Sequence, residues 1–464
     1  HGYNTAVGHS ALSVYNAGAN GNAVSVGYYS GFATTTAVDC TFLGVAAGAF
    51  CTTGDNSTFV GSQAGKGITG AKLTGNNNTA VGKDAGLLLQ GAAAENCIFG
   101  ALAGDAITTG GENCLFGVGA GGSIQTSIRN TFFGDDAGNT CTTGDSNVAM
   151  GHAAMGQGVT TGDFNVAIGF TAGATLTSGT LNTVMGKNAG GSINTGTQNT
   201  FVGALAGDAT DDGLNNTAVG YGALSANCTN ENVAVGASAL LISTSGRNTA
   251  VGMGAGDANT TGGGNVYIGF ECAAYQNDAT SGADNTYVGA FARPSAATVG
   301  SEIAIGRYVL GQGTLTATLG VNGNGATISI DGSDTSWAAH SDERLKENIT
   351  TSTAGLSFIN DLRPVTYTWK AKNAISEDFV NYYDADSTDP INGVAGKTYH
   401  GFVAQEMKAT IDAHSEVENG NNLWAERVDD IQQLAPSNLV PMLVKAIQEQ
   451  QALIEALTAR IETL

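Results

Sequence analysis

The sequence predicts an all-β repeat rod followed by a small α+β domain that ends in a coiled-coil helix. Three observations carry this. A short phrase closing on glycine recurs eighteen times between Gly8 and Gly306, 63 of the 68 glycines lie at or before Gly332, and isoleucines recur at spacing seven near the C-terminus.

The phrase is an asparagine, a β-branched residue, two apolar residues and glycine, as in Asn78-Thr79-Ala80-Val81-Gly82. Its closing glycines are 16 to 21 residues apart, most often 17, which is too short for a strand–helix unit. Three positions before the glycine stand Thr79, Cys97, Thr131, Val148, Val166 and Thr200, and the position just before it is always apolar, so the phrase favours extended backbone. These two positions share one face of a strand and the residue between them takes the other, so the apolar content predicts burial of both faces. Between phrases come Ala-Gly pairs (Ala47-Gly48, Ala137-Gly138) and Thr-Thr-Gly-Asp, which is turn chemistry.

Each coil is expected to hold two strands of about four or five residues and two turns, and eighteen coils at ~4.8 Å give a rod on the order of 85 Å long. Asparagine opens fourteen of the eighteen phrases, the exceptions being Ala23, Cys40, Ser57 and Glu302, which predicts a ladder of side-chain amides at a solenoid corner. So thin a rod leaves an apolar face uncovered in one chain, which calls for partner copies. The phrase resembles the head repeats of trimeric autotransporter adhesins, left-handed parallel β-rolls of three chains, and the shafts of phage tail fibres. The resemblance covers about residues 1–310 and implies a homotrimer.

Residues 311–340 read as neck or linker strands. After them the composition changes: all three tryptophans, four of the five prolines and 11 of the 18 Lys and Arg residues lie beyond residue 300. Residues 341–464 therefore form a separate domain, with 439–464 as its terminal helix. In that helix Ile447, Ile454 and Ile461 repeat at seven, with Leu457 and Leu464 offset by three, which reads as an a/d seam suited to trimerisation, the alternative being an isolated amphipathic helix lying on the domain surface.

The net charge of −22 argues against nucleic acid or an anionic membrane as partner, and no run is apolar enough to insert in a membrane. The chain opens at His1 in mid-repeat, as a fragment does. Seven cysteines lie in the repeats with no Cys-x-x-Cys spacing; they read as small buried residues, reduced, in threonine or valine slots. The six histidines give no metal site, and Gly117-Val118-Gly119-Ala120-Gly121-Gly122 lacks the Lys-Ser/Thr of a phosphate loop. No cofactor is expected.

The chemistry is sought at Ser341-Asp342-Glu343-Arg344-Leu345-Lys346-Glu347-Asn348-Ile349. A serine becomes a nucleophile when a base takes its proton, and a lysine serves if burial keeps it neutral. Spacing alone does not establish this, and the stretch by itself reads first as a solvated charged linker. Together with Gly355-Leu356 through Leu362-Arg363-Pro364-Val365 and Tyr367 to Trp369, then His400 to Glu406, and Leu439 to Glu449, it resembles the intramolecular chaperone domain at the C-terminal ends of phage endosialidases, tail fibres and tailspikes.

That resemblance implies a domain that trimerises, helps the fibre ahead of it fold, and is then released by a serine–lysine dyad acting as a single-turnover peptidase. The scissile bond would be His340-Ser341, the nucleophile Ser341 and the base Lys346. Arg344, Glu347, Asn348 and His400 would support them, or be structural. The expected function is a structural and adhesive fibre on a virion tail or otherwise extracellular, binding a host cell-surface glycan or protein. A bacterial surface adhesin, or the stalk of a tailspike whose polysaccharide-degrading domain lies upstream, are the alternatives.

Overall fold

The computed structural model describes residues 3–16, 21–274, 279–332, 341–378, 383–418, 423–426 and 431–463 of the chain. It divides into two compact units, His1–His340 and Ser341–Leu464. The expected seam position Leu464 and the expected cleavage-site residue His340 lie outside the described residues.

The first unit is a parallel β-solenoid of about eighteen turns. Its strands run from β1 (Thr5–Val7) to β18 (Ile303–Ile305), one per turn, and every successive pair is parallel and in register, as with Ala149 beside Ala167 and Val184 beside Phe201. One expectation is corrected here. Each coil holds a single three-residue strand and not two; much of the remainder is turns, among them the run at the Ala-Gly pair, where Ala46, Gly48, Ala153 and Leu205 take left-handed φ as turn chemistry predicts. Such a backbone cannot continue a pleat. Its N–H groups bond instead to carbonyls one coil away, as from Gly138 to Ala154 at 2.8 Å.

In the single chain the two strand faces differ, the inner one buried and the outer one uncovered, as expected of a rod this thin. From β2 onward the middle residue of each phrase points inward and is buried, as at Ala80, Ile98, Phe132, Phe201 and Tyr267, while its two neighbours are half-buried or exposed in the single chain; in the terminal strand β1 the middle residue Ala6 is exposed. The core is filled by complementary volumes. Where the strand supplies Phe132 or Phe201, the far side of the coil supplies Cys141 or Thr210; where it supplies Ala80 or Ala167, the far side supplies Leu89 or Leu176. This keeps the narrow interior close-packed from coil to coil. The phenylalanine coils also need the glycine of the Ala-Gly pair: a methyl on Gly138 would stand 2.3 Å from the Phe132 ring.

The closing glycines stack on one another. A methyl on Gly134, at φ +142°, would lie 2.6 Å from the carbonyl oxygen of Gly151. The asparagine ladder expected at the corner before each strand is present and its side chains point inward, with Asn78, Asn130, Asn199 and Asn232 fully buried. Asn182 is representative: its amide donates to Asn165 Oδ1 at 3.1 Å and to the Gly196 carbonyl at 2.8 Å, and its own Oδ1 accepts from the backbone and side chain of Asn199. At the last coil Glu302 takes the asparagine position. Its carboxylate is fully buried and accepts from Tyr287 Oη, Ser295 N and Gly313 N.

All seven cysteines are free thiols; five are buried, and Cys97 and Cys114, neighbours in register, are half-buried on the outer strand face. Burial pushes the Cys141 thiol up to about 12, so it stays protonated at neutral pH. Beyond β18 the chain adds a hairpin, β19 (Thr316–Val321) and β20 (Asn324–Ser329), turned by Asn322-Gly323 with both φ values positive.

The second unit has helices α1 (Leu356–Asp361), α2 (Ala404–Ala413), α3 (Ser415–Glu418) and α4 (Val440–Glu462). Its strands form two small antiparallel pairs, β21 (Val365–Tyr367) with β22 (Tyr399–Gly401) and β23 (Trp424–Glu426) with β24 (Gln432–Leu434). Phe358, Met407, Ile411, Leu423 and Leu439 make its core. Helix α4 buries Ala446 and packs on α1, while Ile447, Ile454, Leu457 and Ile461 are exposed.

Candidate functional site

The site is built by one tight turn at the start of the second unit. Residues Glu343–Leu345 form a single 3₁₀ turn, closed by Leu345 N to the Asp342 carbonyl at 3.1 Å and Lys346 N to the Glu343 carbonyl at 3.0 Å. Asp342 stands ahead of it in extended conformation and caps it, its Oδ1 accepting from Arg344 N at 2.9 Å. Lys346 leaves the turn in extended conformation. The side chains of Ser341 and Lys346 thereby meet, with Nζ donating to Oγ at 2.7 Å.

Arg344 turns back on Asp342. Its Nε donates to Oδ1 at 2.9 Å and its Nη2 to Oδ2 at 2.6 Å, a two-point pair that holds the Asp342 carboxyl below the usual carboxylate range. Glu347 and Asn348 are exposed, and Asn348 takes a left-handed φ of 54°. Every residue from 341 to 353 is exposed, and the chain enters the core only at Ala354.

His400 lies elsewhere, on β22 opposite Thr366, beside a shallow cavity of ≈ 540 Å³ shared with Pro364, Phe402 and Pro436. The hydrogen bond of the pair involves Ser341 and Lys346 alone. Of the expected supporting residues, Arg344 is thus within the turn that shapes the pair and His400 is on a separate strand.

Asp342 is the residue that sequence reasoning missed. Its signal was an aspartate two before an arginine at the head of a turn, a capping pattern that spacing rules for long helices do not single out. Two further links hold the unit around the site segment. Arg363 and Glu406 form a two-point ion pair, Nε to Oε2 at 2.9 Å, which ties the chain before β21 to the first turn of α2. Glu449 of α4 accepts from Leu356 N at 2.8 Å, capping α1 from across the unit.

Among the described residues no group of three or more His, Cys, Asp or Glu could hold a metal ion, and no helix is long and apolar enough to cross a membrane. Residues 341–415 match the family model described as chaperone of endosialidase. No curated protein and no solved structure matches the chain. A long β-solenoid followed by a segment matching that family model is the make-up of a tail-fibre or endosialidase-type chaperone protein, and it is this kind of protein that the chain is similar to.

Proposed function

We propose that the chain is a trimeric fibre whose C-terminal unit brings three copies together, templates the solenoid, and then frees it by cutting the bond between His340 and Ser341. The observation that carries this is the 2.7 Å hydrogen bond from Lys346 Nζ to Ser341 Oγ, at the first residue of the second unit. In the reaction, Ser341 Oγ attacks the carbonyl carbon of residue 340 while its proton passes to Lys346. The carbon–nitrogen bond then breaks, the Ser341 nitrogen takes the proton back, and the acyl group rests on Oγ as an ester. Water hydrolyses the ester and separates the two chains.

Exposure sets the timing. In water an amine keeps its proton, and an ammonium that donates to Oγ is not a base; removing water shifts the balance to the free amine. Ser341 and Lys346 are exposed in the single chain, so neighbouring copies must supply the covering surface. Two apolar surfaces support that assembly. On the solenoid Leu43, Phe133, Met150, Met185 and Ile268 stand exposed at the same phrase position, and on α4 Ile447, Ile454, Leu457 and Ile461 form a seam. The free solenoid would then serve attachment to a host cell-surface glycan or protein, on a virion tail or otherwise outside the cell.

Ser341→Ala and Lys346→Ala each remove one member of the pair without touching either apolar surface. Both variants are expected to assemble and to remain full length on denaturing gels, while the parent yields a fragment whose N-terminal residue is Ser341. A parent chain that stays whole after folding removes the peptidase role and leaves assembly alone.

A further inference from the structure

Ser341 and Lys346 are five residues apart, and no regular backbone brings such a pair together. Extended chain would set them about 16 Å apart. An α-helix would place them about 140° apart around its axis, and a 3₁₀-helix about 120°. The pair forms because one 3₁₀ turn begins at Glu343 and stops at Leu345, with extended residues at both ends. The 2.7 Å contact therefore depends on what starts and stops that turn.

Nothing buried does so. The turn has no buried residue, Leu345 is 72% exposed and Ile349 is 63% exposed, so packing does not hold it. What holds it is the Asp342 carboxylate, which makes three bonds to one residue. Oδ1 accepts from Arg344 N and Nε, and Oδ2 accepts from Arg344 Nη2. The first bond fixes the turn's start; the other two draw the arginine side chain back over it. We propose that Asp342 and Arg344 are positioning residues, a clasp that sets the turn and so delivers Ser341 Oγ to Lys346 Nζ. This rests on the reading of that pair as the self-cleaving dyad.

The clasp has a chemical reason to be an ion pair. An exposed five-residue loop loses its geometry easily, and an error of about 1 Å between reacting groups costs about 100-fold in rate. A neutral cap would fix the turn's start but leave the arginine side chain loose. The Asp342 carboxyl, held below the usual carboxylate range by Arg344, stays ionised across the neutral and alkaline range, so the clasp stays closed there.

The test is the first-order rate of self-cleavage in the full-length chain, followed on gels across pH after assembly, for the parent, Asp342→Ala, Asp342→Asn, Arg344→Lys and Ser341→Ala. Asp342→Ala should lower the high-pH plateau about 100-fold. Asp342→Asn keeps an acceptor for Arg344 N and should recover part of the loss, and Arg344→Lys, which keeps charge without the two-point geometry, should lose several-fold. The pH midpoint should not move in any of them, and the assembled mass should equal that of Ser341→Ala. A parental plateau in Asp342→Ala overturns the inference alone. A shifted midpoint also overturns it, by showing that Asp342 acts on the charge of Lys346 and not on its place. Ser341→Ala that still cuts, or a parent that never cuts, overturns the dyad and the clasp together.

Discussion

At the scale of single residues the solenoid is held by buried amides that bond from coil to coil. Asn182 sits between Asn165 and Asn199 and serves both, while also closing a bond to the Gly196 carbonyl. Asn182→Ala would strand the Asn199 amide and that carbonyl inside the coil, at about 1–3 kcal/mol for each group left unpaired. Chemical denaturation should show a loss of that order, and Asn182→Asp should be no milder, because a buried carboxylate has no hydrogen to give. The ladder was legible in the sequence because asparagine recurs at one phrase position. Its depth was not, since a polar residue beside turn signals reads as surface until the coil closes over it. Glu302 was legible only as an exception; that three donors converge on it depends on Tyr287, Ser295 and Gly313 meeting across the last coil.

At the scale of elements, strand content was overestimated and strand position was not. Thr79 to Val81 and Val166 to Ile168 are strands because β-branched and apolar residues alternate there. The Ala-Gly stretch was legible as a turn from its glycine, but left-handed φ at the non-glycine positions Ala46, Ala153 and Leu205 was not, because local propensity disfavours it there. The site shows the same limit. Ser341 and Lys346 could be named from residue type and resemblance, whereas their meeting needed the turn capped by Asp342. In the second unit the helices are tied by His414, at the end of α2, which bonds Glu416 of α3 and Asp361 of α1 at 2.9 Å each. The Glu416 bond first, and Asp361 second, raise His414 above its ordinary value. The folded unit thus holds this proton more tightly than the unfolded chain. That stabilisation is complete below about pH 6.5 and is lost as pH rises through the raised folded value. Thermal unfolding of the second unit should fall in temperature over that range, and His414→Gln should flatten the slope.

At the scale of the whole molecule the proposed assembly rests on the two exposed apolar surfaces. Native mass measurement should give three chains, and Ile454→Asp on the exposed seam of α4 should shift the population toward single chains. Because Ser341 and Lys346 would then stay in water, that variant should also remain uncut, although its dyad is intact. A seam variant that dissociates and still releases a fragment beginning at Ser341 would separate cleavage from assembly.

The ladder that ends at Glu302 also has a direction. Along most of its length each asparagine oxygen waits for an amide from the next coil toward the C-terminus, as Asn130 waits for Asn147 and Asn199 for Asn216. A stack grown from its N-terminal side would always end on an unserved acceptor, whereas the Glu302 end is served from within its own surroundings. The solenoid thus has chemically unlike ends: parted between two coils, it would show an unserved acceptor on one side and unserved donors on the other, while at its last coil Glu302 closes the row on groups beside it.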